Sequence, residues 1–382
     1  MIPLIQICET TARWLNESSP QAVDWPLDTW EQFKLVGRVH GVAPLLHTRL
    51  ASAHWLPPSI GQWLAEQHHF NDQRLTKMHA ELKAILGLFD RHDIPLMPLK
   101  GSILSVEYYE KAAWRPMADV DLLIRPDDLT TAAKLLRQLG YEQTIVHWKH
   151  TEFVKPDNRR VVSKMYEHPD NPRGLEIHLL CRETFGGPTI DLTKMMWQNA
   201  SVGELLGEPA MLPQHEALWL HLLLHATYHV WQGRGRLIHL VDLVRLMPHL
   251  SNPLPFLDSV EARFTYPALV LVNKFFSPGQ YDSLLMRQTE KVSTGFSRWA
   301  NTLNLVNTSY LNPQPEGLYL FKALRLTEGR PREVLQALRF ALLPSPEELA
   351  LDHPYLATSK VAWLAYLLLP LDWVKRTMKS AN

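Results

Sequence analysis

Two aspartates separated by one residue are the first sign of chemistry in this sequence. Asp119 and Asp121 alternate with apolar residues in the run 118–124, a pattern typical of a β-strand. Alternate side chains of a strand leave on the same face, so both carboxylates point to one place. Their mutual repulsion must be offset by something positive, because an apolar strand gains nothing from two like charges side by side. The pattern therefore indicates a divalent metal site.

A turn that precedes this strand offers groups that bind phosphate. Lys100, Gly101 and Ser102 lie between an apolar strand over 94–99 and a helical pattern that begins at Ile103. Gly101 has no side chain, so a ligand can approach the backbone where the first free amides of the helix face an anion. Ser102 adds a hydroxyl donor, and Lys100 adds a positive charge. A Gly-Ser pair alone is usually a cap, so this interpretation depends on the Asp-x-Asp strand that follows.

Several short motifs around the two aspartates resemble a known family. The order of strand, Gly-Ser turn, helix and Asp-x-Asp strand resembles the DNA polymerase beta-type nucleotidyltransferase superfamily. Within it, the chain is similar to an uncharacterised bacterial nucleotidyltransferase branch, through LKGSIL, Tyr108, Tyr109, Arg115, DVDLLI, PDDL and the Leu-Gly-Tyr at 139–141. The similarity extends from about residue 30 to about residue 247, which is more than half of the chain.

The resemblance implies an activity and a set of site residues. A nucleotidyltransferase of this kind moves a nucleoside monophosphate from a nucleoside triphosphate to an acceptor and releases pyrophosphate, with Mg²⁺ or Mn²⁺ as the cofactor. By resemblance, the catalytic and metal-binding residues are Asp119, Asp121 and Glu176. Three carboxylates on one sheet face can hold two metal ions about 3.5 to 4 Å apart. The implied nucleotide-binding residues are Lys100, Gly101, Ser102, Arg115, His178, His225 and Arg236.

Glu176 also has an interpretation without a metal. Glu176 and His178 alternate with apolar residues over 174–179, so they share one strand face. By resemblance, Glu176 is the third carboxylate, on a strand beside the Asp-x-Asp strand. The alternative is a surface ion pair with one of three arginines, Arg115, Arg159 or Arg160.

An alternative function from another class stays open. It is a nucleotidyltransferase fold that no longer catalyses and that binds nucleotide or a protein partner. The presence of both aspartates together with a candidate third carboxylate argues against a decayed site. The acceptor is open as well: a protein side chain, an RNA end or a small molecule. The net charge is zero, from 39 basic and 39 acidic residues, which disfavours a large RNA and a general nucleic-acid coat.

The patterns along the chain predict an α+β protein, and the resemblance implies that its core is a nucleotidyltransferase-type mixed sheet. We expect N- and C-terminal helical regions to flank this core. We expect an N-terminal helical region over 1–93, the core over 94–191 and a C-terminal helical region over 192–382. The first region includes a long apolar stripe at helical spacing over 60–89.

After the Asp-x-Asp strand, the core continues with a helix and three strands. The helix spans 128–139, and Gly140 stops it. The period of the apolar residues then changes from helical to two. Strands over 144–154, 159–166 and 175–180 are expected to follow as an antiparallel series that extends the sheet.

The C-terminal region contains histidines that recur every fourth residue. In the helical run 216–232, His221, His225 and His229 share one helix face. Such a ladder can ligate zinc, although no cysteine or carboxylate partner is evident in the sequence. By resemblance, this run starts the helical module that follows the core. Two roles stay open for its polar residues, contact with nucleotide or acceptor in the cleft and packing of helix on helix; the residues are His225, His229, Arg236 and Asp242.

Composition bounds the location of the protein. Two cysteines, Cys8 and Cys181, are too few for a disulfide framework and fit a reducing compartment. The first residues lack the basic, apolar and small-residue order of a secretory signal, so cytoplasm is the expected location. The most apolar stretch, 361–369, is shorter than the roughly twenty residues that a membrane span requires, and we expect no span.

Overall fold

The chain begins with helices. The computed structural model describes residues 2–146, 150–163, 168–276, 281–312 and 317–343, so the apolar stretch 361–369 lies outside the described residues. The helices before the sheet are α1 Leu4–Asn16, α2 Leu27–Val39, α3 Ala43–Leu50 and α4 Pro58–Asp90. Trp14 of α1 and Trp30 and Phe33 of α2 pack ring against ring, with centroids 5.5 to 6.3 Å apart. Burial of these aromatic faces holds the first two helices together.

Helix α4 is 33 residues long and contacts α3 and, within the core, α6 (Leu129–Gln138). Pro58 stands at its first position, where the missing N–H costs nothing. The apolar stripe predicted over 60–89 is confirmed and forms the buried face of the helix. Asn71 and Arg74 are buried on this same face, although polar groups at core positions must find hydrogen-bond partners.

The core is a five-stranded sheet with a helix in each of its first two connections. Its elements are β1 Met97–Pro98, α5 Gly101–Glu107, β2 Asp119–Leu123, α6 Leu129–Gln138, β3 Glu142–Val146, β4 His150–Val154 and β5 Gly174–His178. The spatial order is β1-β2-β5-β4-β3. β2 and β5 are parallel, whereas the other neighbours are antiparallel. The sheet is therefore mixed, and the predicted fold class is confirmed.

The predicted antiparallel series of strands is partly wrong. The run 144–154 contains parts of two strands, β3 and β4, which pair with each other. Residues 159–163 form no strand, and the rest of the strand predicted over 159–166 reaches residues that are not described. The Asn171 side-chain oxygen accepts the backbone N–H groups of Val162 and Ser163, at 3.0 and 2.9 Å. Because this side chain satisfies their backbone, the segment needs no strand partner, and β4 pairs directly with β5.

The chain after β5 alternates short hairpins with helices. Two hairpins come first, with elements β6 Arg182–Thr184, β7 Thr189–Asp191, α7 Thr193–Gln198, β8 Ala200–Leu205 and β9 Glu208–Pro213. The expectation that the chain is helical from residue 192 onward is therefore wrong for β8 and β9. Leu206 and Gly207 have φ of 56° and 80°, the positive values that a two-residue hairpin turn demands. The Met211 N–H donates to Leu96 O at 2.8 Å and joins β9 to the residue just before β1.

Helices make up the rest of the secondary structure that we describe, apart from short 3₁₀ turns. They are α8 His215–Gln232, α9 Leu237–Leu246, α10 Leu254–Asp258, α11 Tyr266–Phe276, α12 Asp282–Thr289, α13 Thr294–Ala300, α14 Gly317–Leu326 and α15 Pro331–Leu342. Across the described segments, no helix combines the length and the apolar character needed to traverse a bilayer. The division of the chain at residues 93 and 191 stays a proposal.

A buried histidine joins the N-terminal helices to α9. His40 is fully buried, and its Nδ1 accepts the backbone N–H of Leu237 at 3.1 Å. Its Nε2 lies 3.9 Å from the sulfur of Cys8. Burial, with the nearby positive charge of Arg236, lowers the pKa of His40 to about 3. The imidazole is therefore neutral in the folded protein at neutral pH.

This buried neutral histidine predicts a loss of stability in mild acid. Below pH 6.5, its ordinary pKa, the unfolded chain takes up a proton at His40 that the folded chain does not. The contribution of neutral His40 to the free energy of unfolding is complete above that pH. It falls as the pH drops towards 3, by about 2 kcal/mol at pH 5. Urea unfolding at pH 7 and pH 5 measures this change in the free energy of unfolding. In His40→Asn, which keeps an acceptor for Leu237, the pH dependence should be weaker by about that amount.

The matched control for this prediction is His54→Asn, because His54 is exposed. It should leave the pH dependence as in the natural protein. Equal pH dependence in His40→Asn and the natural protein would contradict the prediction.

Candidate active site

Pairing of β2 with β5 brings three carboxylates together. In the parallel register, Asp121 lies opposite Glu176 and Asp119 lies opposite Gly174. Alternation along β2 places both aspartates on the face that Glu176 shares. The neighbouring carboxylates of Asp121 and Glu176 also raise the pKa of Asp119, as expected for acidic groups that lie close together. The structure thus unites the three residues that the sequence predicted as metal ligands.

Two positive or hydrogen-donating side chains hold this acidic cluster. Lys100 Nζ lies 2.6 Å from Asp121 Oδ1. His178 Nε2 lies 2.8 Å from the same oxygen and 3.1 Å from Glu176 Oε2, so its N–H bridges the two carboxylates. Asp121 and His178 are almost completely buried. Charge-assisted bonds of this kind fix side-chain orientation well because they are short and strong.

The electrostatics differ sharply between the two aspartates. Burial and the neighbouring carboxylates of Asp121 and Glu176 raise the pKa of Asp119 well above its usual value. Burial also acts to raise the pKa of Asp121, but Lys100 and the hydrogen bond from His178 outweigh it, and the pKa of Asp121 is lowered. Despite its burial, the pKa of Lys100 is raised by the same carboxylates. The pKa values of the two aspartates are therefore shifted in opposite directions, and the lowered pKa of Asp121 with the raised pKa of Lys100 favours a charged pair of these two side chains.

The donor set fits a hard divalent cation. Carboxylate oxygens are the ligands that Mg²⁺ and Mn²⁺ prefer. Repulsion from Asp121 and Glu176 raises the pKa of Asp119, so a further positive charge among the three carboxylates would be stabilised. Asp119, Asp121 and Glu176 are the residues that would hold Mg²⁺ or Mn²⁺.

A second donor set borders the first. Ligand atoms of His150, Glu176 and His178 lie within 4.8 Å of one another. His150 stands on β4 opposite His178 of β5, and their ring centroids are 5.3 Å apart. Glu176 thus belongs to both sets. His150 is a site residue that the sequence analysis missed, because its position depends on the pairing of β4 with β5.

The turn before α5 is tied to the Asp-x-Asp strand. Ser102 is fully buried, and its Oγ accepts the Asp121 backbone N–H at 2.9 Å. Leu99 N donates to the Asp121 carbonyl at 3.0 Å. Lys100 adopts φ 46°, ψ −125°, a region that non-glycine residues rarely occupy. The backbone around Asp121 is therefore fixed from the side of the predicted phosphate-binding turn.

Gly101 is required by a close approach from within the protein. A Cβ at this position would lie 2.3 Å from Arg115 Nη1 and 2.7 Å from Met117 Cγ. The guanidinium of Arg115 is itself held by α9. Its Nη2 and Nε lie 2.8 and 3.2 Å from the two carboxylate oxygens of Asp242, and the Tyr109 hydroxyl donates to the same group at 2.8 Å. A buried bidentate pair thus joins the turn to the helical region.

Two of the predicted nucleotide-binding residues make their described contacts elsewhere. His225 Nδ1 lies 3.1 Å from the Glu183 carboxylate. Arg236 Nε donates to Val39 O at 3.2 Å, next to His40. Arg115 and His178, in contrast, lie beside the turn and within the acidic cluster, respectively.

Arg74 is the most important residue that the sequence analysis missed. Its guanidinium donates to four carbonyl oxygens, at 2.6 to 3.0 Å, in the segments that lead into β2 and β5: Met117, Ala118, Asn171 and Pro172. On the same helix face, Asn71 donates to Ala113 O at 2.7 Å. The available signal was the occurrence of Asn71 and Arg74 at core positions of the apolar stripe.

Comparison with known proteins supplies the family. The model described as "uncharacterised nucleotidyltransferase" matches residues 26–267. No curated protein matches the chain significantly. The antibiotic-resistance factor ANT(2'')-Ia is a similar solved structure, with 14% sequence identity and a TM-score of 0.32, covering 56% of this chain and 98% of its own. An antigenic nucleotidyltransferase-like protein from Paracoccidioides brasiliensis has 16% identity and a TM-score of 0.30, covering 60% of this chain and 96% of its own. Because the family model spans more than half of the sequence, the chain belongs to the uncharacterised nucleotidyltransferase family, as its motifs predicted.

Proposed function

We propose that this chain is a metal-dependent nucleotidyltransferase that moves a nucleoside monophosphate from a nucleoside triphosphate to an acceptor. Membership of the family supports the reaction class. The observation that carries the proposal is the cluster of Asp119, Asp121 and Glu176, which two neighbouring parallel strands bring onto one face. Positioning and charge neutralisation supply most of the catalysis in phosphoryl-type transfer. A cluster of carboxylates that positions the metal can therefore provide the protein's main contribution to the reaction.

In the proposed reaction, an acceptor oxygen attacks the α-phosphorus and the bond to the bridging oxygen of pyrophosphate breaks. When bound, Mg²⁺ or Mn²⁺ supplies neutralisation of phosphate charge. Glu176 takes the acceptor proton, and the His178 N–H that bridges Glu176 and Asp121 keeps both carboxylates in place. The Lys100 ammonium, held 2.6 Å from Asp121, adds a positive charge beside the triphosphate.

A second candidate is a binding module that holds a nucleotide or a protein partner without transfer. The observation that favours it is the Lys100–Asp121 pair, in which an internal cation already occupies an oxygen of Asp121. For the enzyme, Lys100 must release or share this oxygen when the metal binds. For the binding module, the pair persists and the site stays without a metal.

The deciding experiment is transfer from nucleoside triphosphates labelled at the α-phosphate. The protein is incubated with each of the four nucleotides, Mg²⁺ or Mn²⁺ and a cell extract, beside the variant Asp119→Ala/Asp121→Ala. Label that the natural protein alone moves to a new species, together with pyrophosphate release, would support the enzyme. The electrophoretic and chromatographic behaviour of the labelled species would show whether the acceptor is a protein, an RNA or a small molecule. Nucleotide binding without transfer in every combination would support the binding module.

We propose the cytoplasm as the compartment of this protein, because its sequence has two cysteines, which are too few for a disulfide framework. Such a low cysteine content fits reducing surroundings.

A further inference from the structure

Three histidines from two helices meet outside the acidic cluster. His225 and His229 are four residues apart on α8, and His239 comes from α9. One ligand atom of each lies within 4.8 Å of the other two. The ring centroids are 4.3, 4.9 and 5.5 Å apart. The group differs from the ladder considered in the sequence, because His239 takes the place of His221, whose ring centroid is 6.4 Å from that of His225.

A buried carboxylate orients the first of these histidines. Glu183 of β6 is 3% exposed, and its Oε1 lies 3.1 Å from His225 Nδ1. When Nδ1 carries the proton and donates it to the carboxylate, Nε2 keeps its lone pair. A carboxylate behind a histidine is the usual arrangement at metal sites, since it fixes the tautomer and makes the imidazole a better ligand. The negative charge of Glu183 also favours a cation nearby.

The third histidine is held in the form that binds metals. Burial lowers the pKa of His239 well below its usual value, with further lowering by His229, His225, Arg236 and Arg115. Its Nδ1 is buried and has no hydrogen-bond partner within the described part of the chain. A neutral imidazole with such a nitrogen has a lone pair available for coordination.

We propose that His225, His229 and His239 form a transition-metal site, for which Zn²⁺ is the best-matched ion, with Glu183 as the group that orients His225. Imidazole nitrogen suits zinc far better than magnesium. Zinc–nitrogen bonds of about 2.0 to 2.1 Å in a tetrahedron place ligand atoms about 3.3 Å apart. Small side-chain rotations bring nitrogens that lie within 4.8 Å of one another to that separation.

The proposed ion would connect the helical region to the turn of the acidic cluster. It would tie α8 to α9 at His239, three residues before Asp242. Asp242 holds Arg115, whose guanidinium lies against Gly101. The site is separate from the three carboxylates, and its metal binding does not depend on the proposed transfer reaction.

Cobalt is a spectroscopic probe for this site. Tag-free protein is freed of metal with a chelator and titrated with Co²⁺, which absorbs visible light strongly in tetrahedral nitrogen surroundings. We expect one equivalent to give this absorption and one equivalent of Zn²⁺ to displace it. His229→Gln and His239→Gln should each weaken cobalt binding at least about 100-fold, and Glu183→Gln should weaken it about 10-fold and keep the absorption.

Matched histidine variants separate this site from other ligands. The variant His215→Gln replaces a histidine at the start of α8. The variant His150→Gln removes one member of the His150, Glu176 and His178 group. Both should keep the absorption. Two ligand variants are used so that one still gives the answer if the other fails to fold, which far-UV circular dichroism of the metal-free proteins reveals. No absorption in the natural protein, absorption retained in a folded ligand variant, or absorption lost in His150→Gln would each overturn the proposal.

Discussion

The variant Asp121→Asn is expected to transfer nucleotide at least about 1000-fold more slowly than the natural protein, while it stays folded. Asp121 accepts bonds from both Lys100 and His178 and lies opposite Glu176 on the neighbouring strand. An amide keeps the shape of the side chain but loses its charge, so it binds a divalent cation poorly. A 1000-fold change corresponds to about 4 kcal/mol of transition-state stabilisation, a size that a single preorganised electrostatic contact can reach.

The fold should survive because the neighbours of Asp121 keep other partners. The Lys100 ammonium also interacts with the charge of Glu176. The backbone N–H of residue 121 still donates to Ser102 Oγ. Asp127→Asn is the matched control, since Asp127 is an exposed carboxylate six residues farther along the chain, and it should transfer label normally. Initial rates of pyrophosphate release test the pair of variants. Transfer by Asp121→Asn within tenfold of the natural rate would refute the role of this residue.

The substitution Arg74→Met is expected to lower the free energy of unfolding by at least about 3 kcal/mol. Arg74 is 2% exposed and donates to four carbonyl oxygens. Methionine fills a similar volume but leaves these oxygens without their charged donor, and each unsatisfied buried group costs on the order of 1–3 kcal/mol. Urea unfolding followed by tryptophan fluorescence measures the loss.

Two further variants define the cause of this loss. Arg74→Lys keeps the charge but lacks the planar fork of donors, so it should lie between the natural protein and Arg74→Met. Arg91→Met removes an exposed arginine directly after the same helix and should unfold like the natural protein. An unchanged unfolding midpoint in Arg74→Met would show that the four bonds contribute nothing net.

Local patterns could be predicted well from the sequence. Alternation within one strand placed Asp119 and Asp121 on a common face, and helical periodicity outlined α4 and α8. Such features depend on residues that are close in the chain. The neighbouring position of Glu176 followed from the family resemblance, because the parallel pairing of β2 with β5 joins residues far apart in sequence.

The errors arose where side chains or distant segments decided the structure. Val161 and Val162 suggested a strand, yet they are 66% and 51% exposed, and Asn171 holds the backbone there. The hairpin of β8 and β9 turns at Leu206-Gly207, which is a weak signal compared with Asn-Gly. His239 joins His225 only through the packing of α9 on α8. Ser102 binds the backbone of Asp121, a contact that no local pattern encodes.

The four hydrogen bonds of Arg74 define the smallest part of the chain that contains all of the contacts of the acidic cluster's strands. Residues 94–191 contain every carboxylate of the acidic cluster, but the donor that holds the approaches to both of its strands belongs to α4. Glu81 of the same helix pairs with Arg173, just before β5. A fragment that contained only residues 94–191 would lack both Arg74 and Glu81. The gene segment that encodes a complete set of these contacts is therefore longer than the segment that encodes the acidic cluster, and it begins no later than α4.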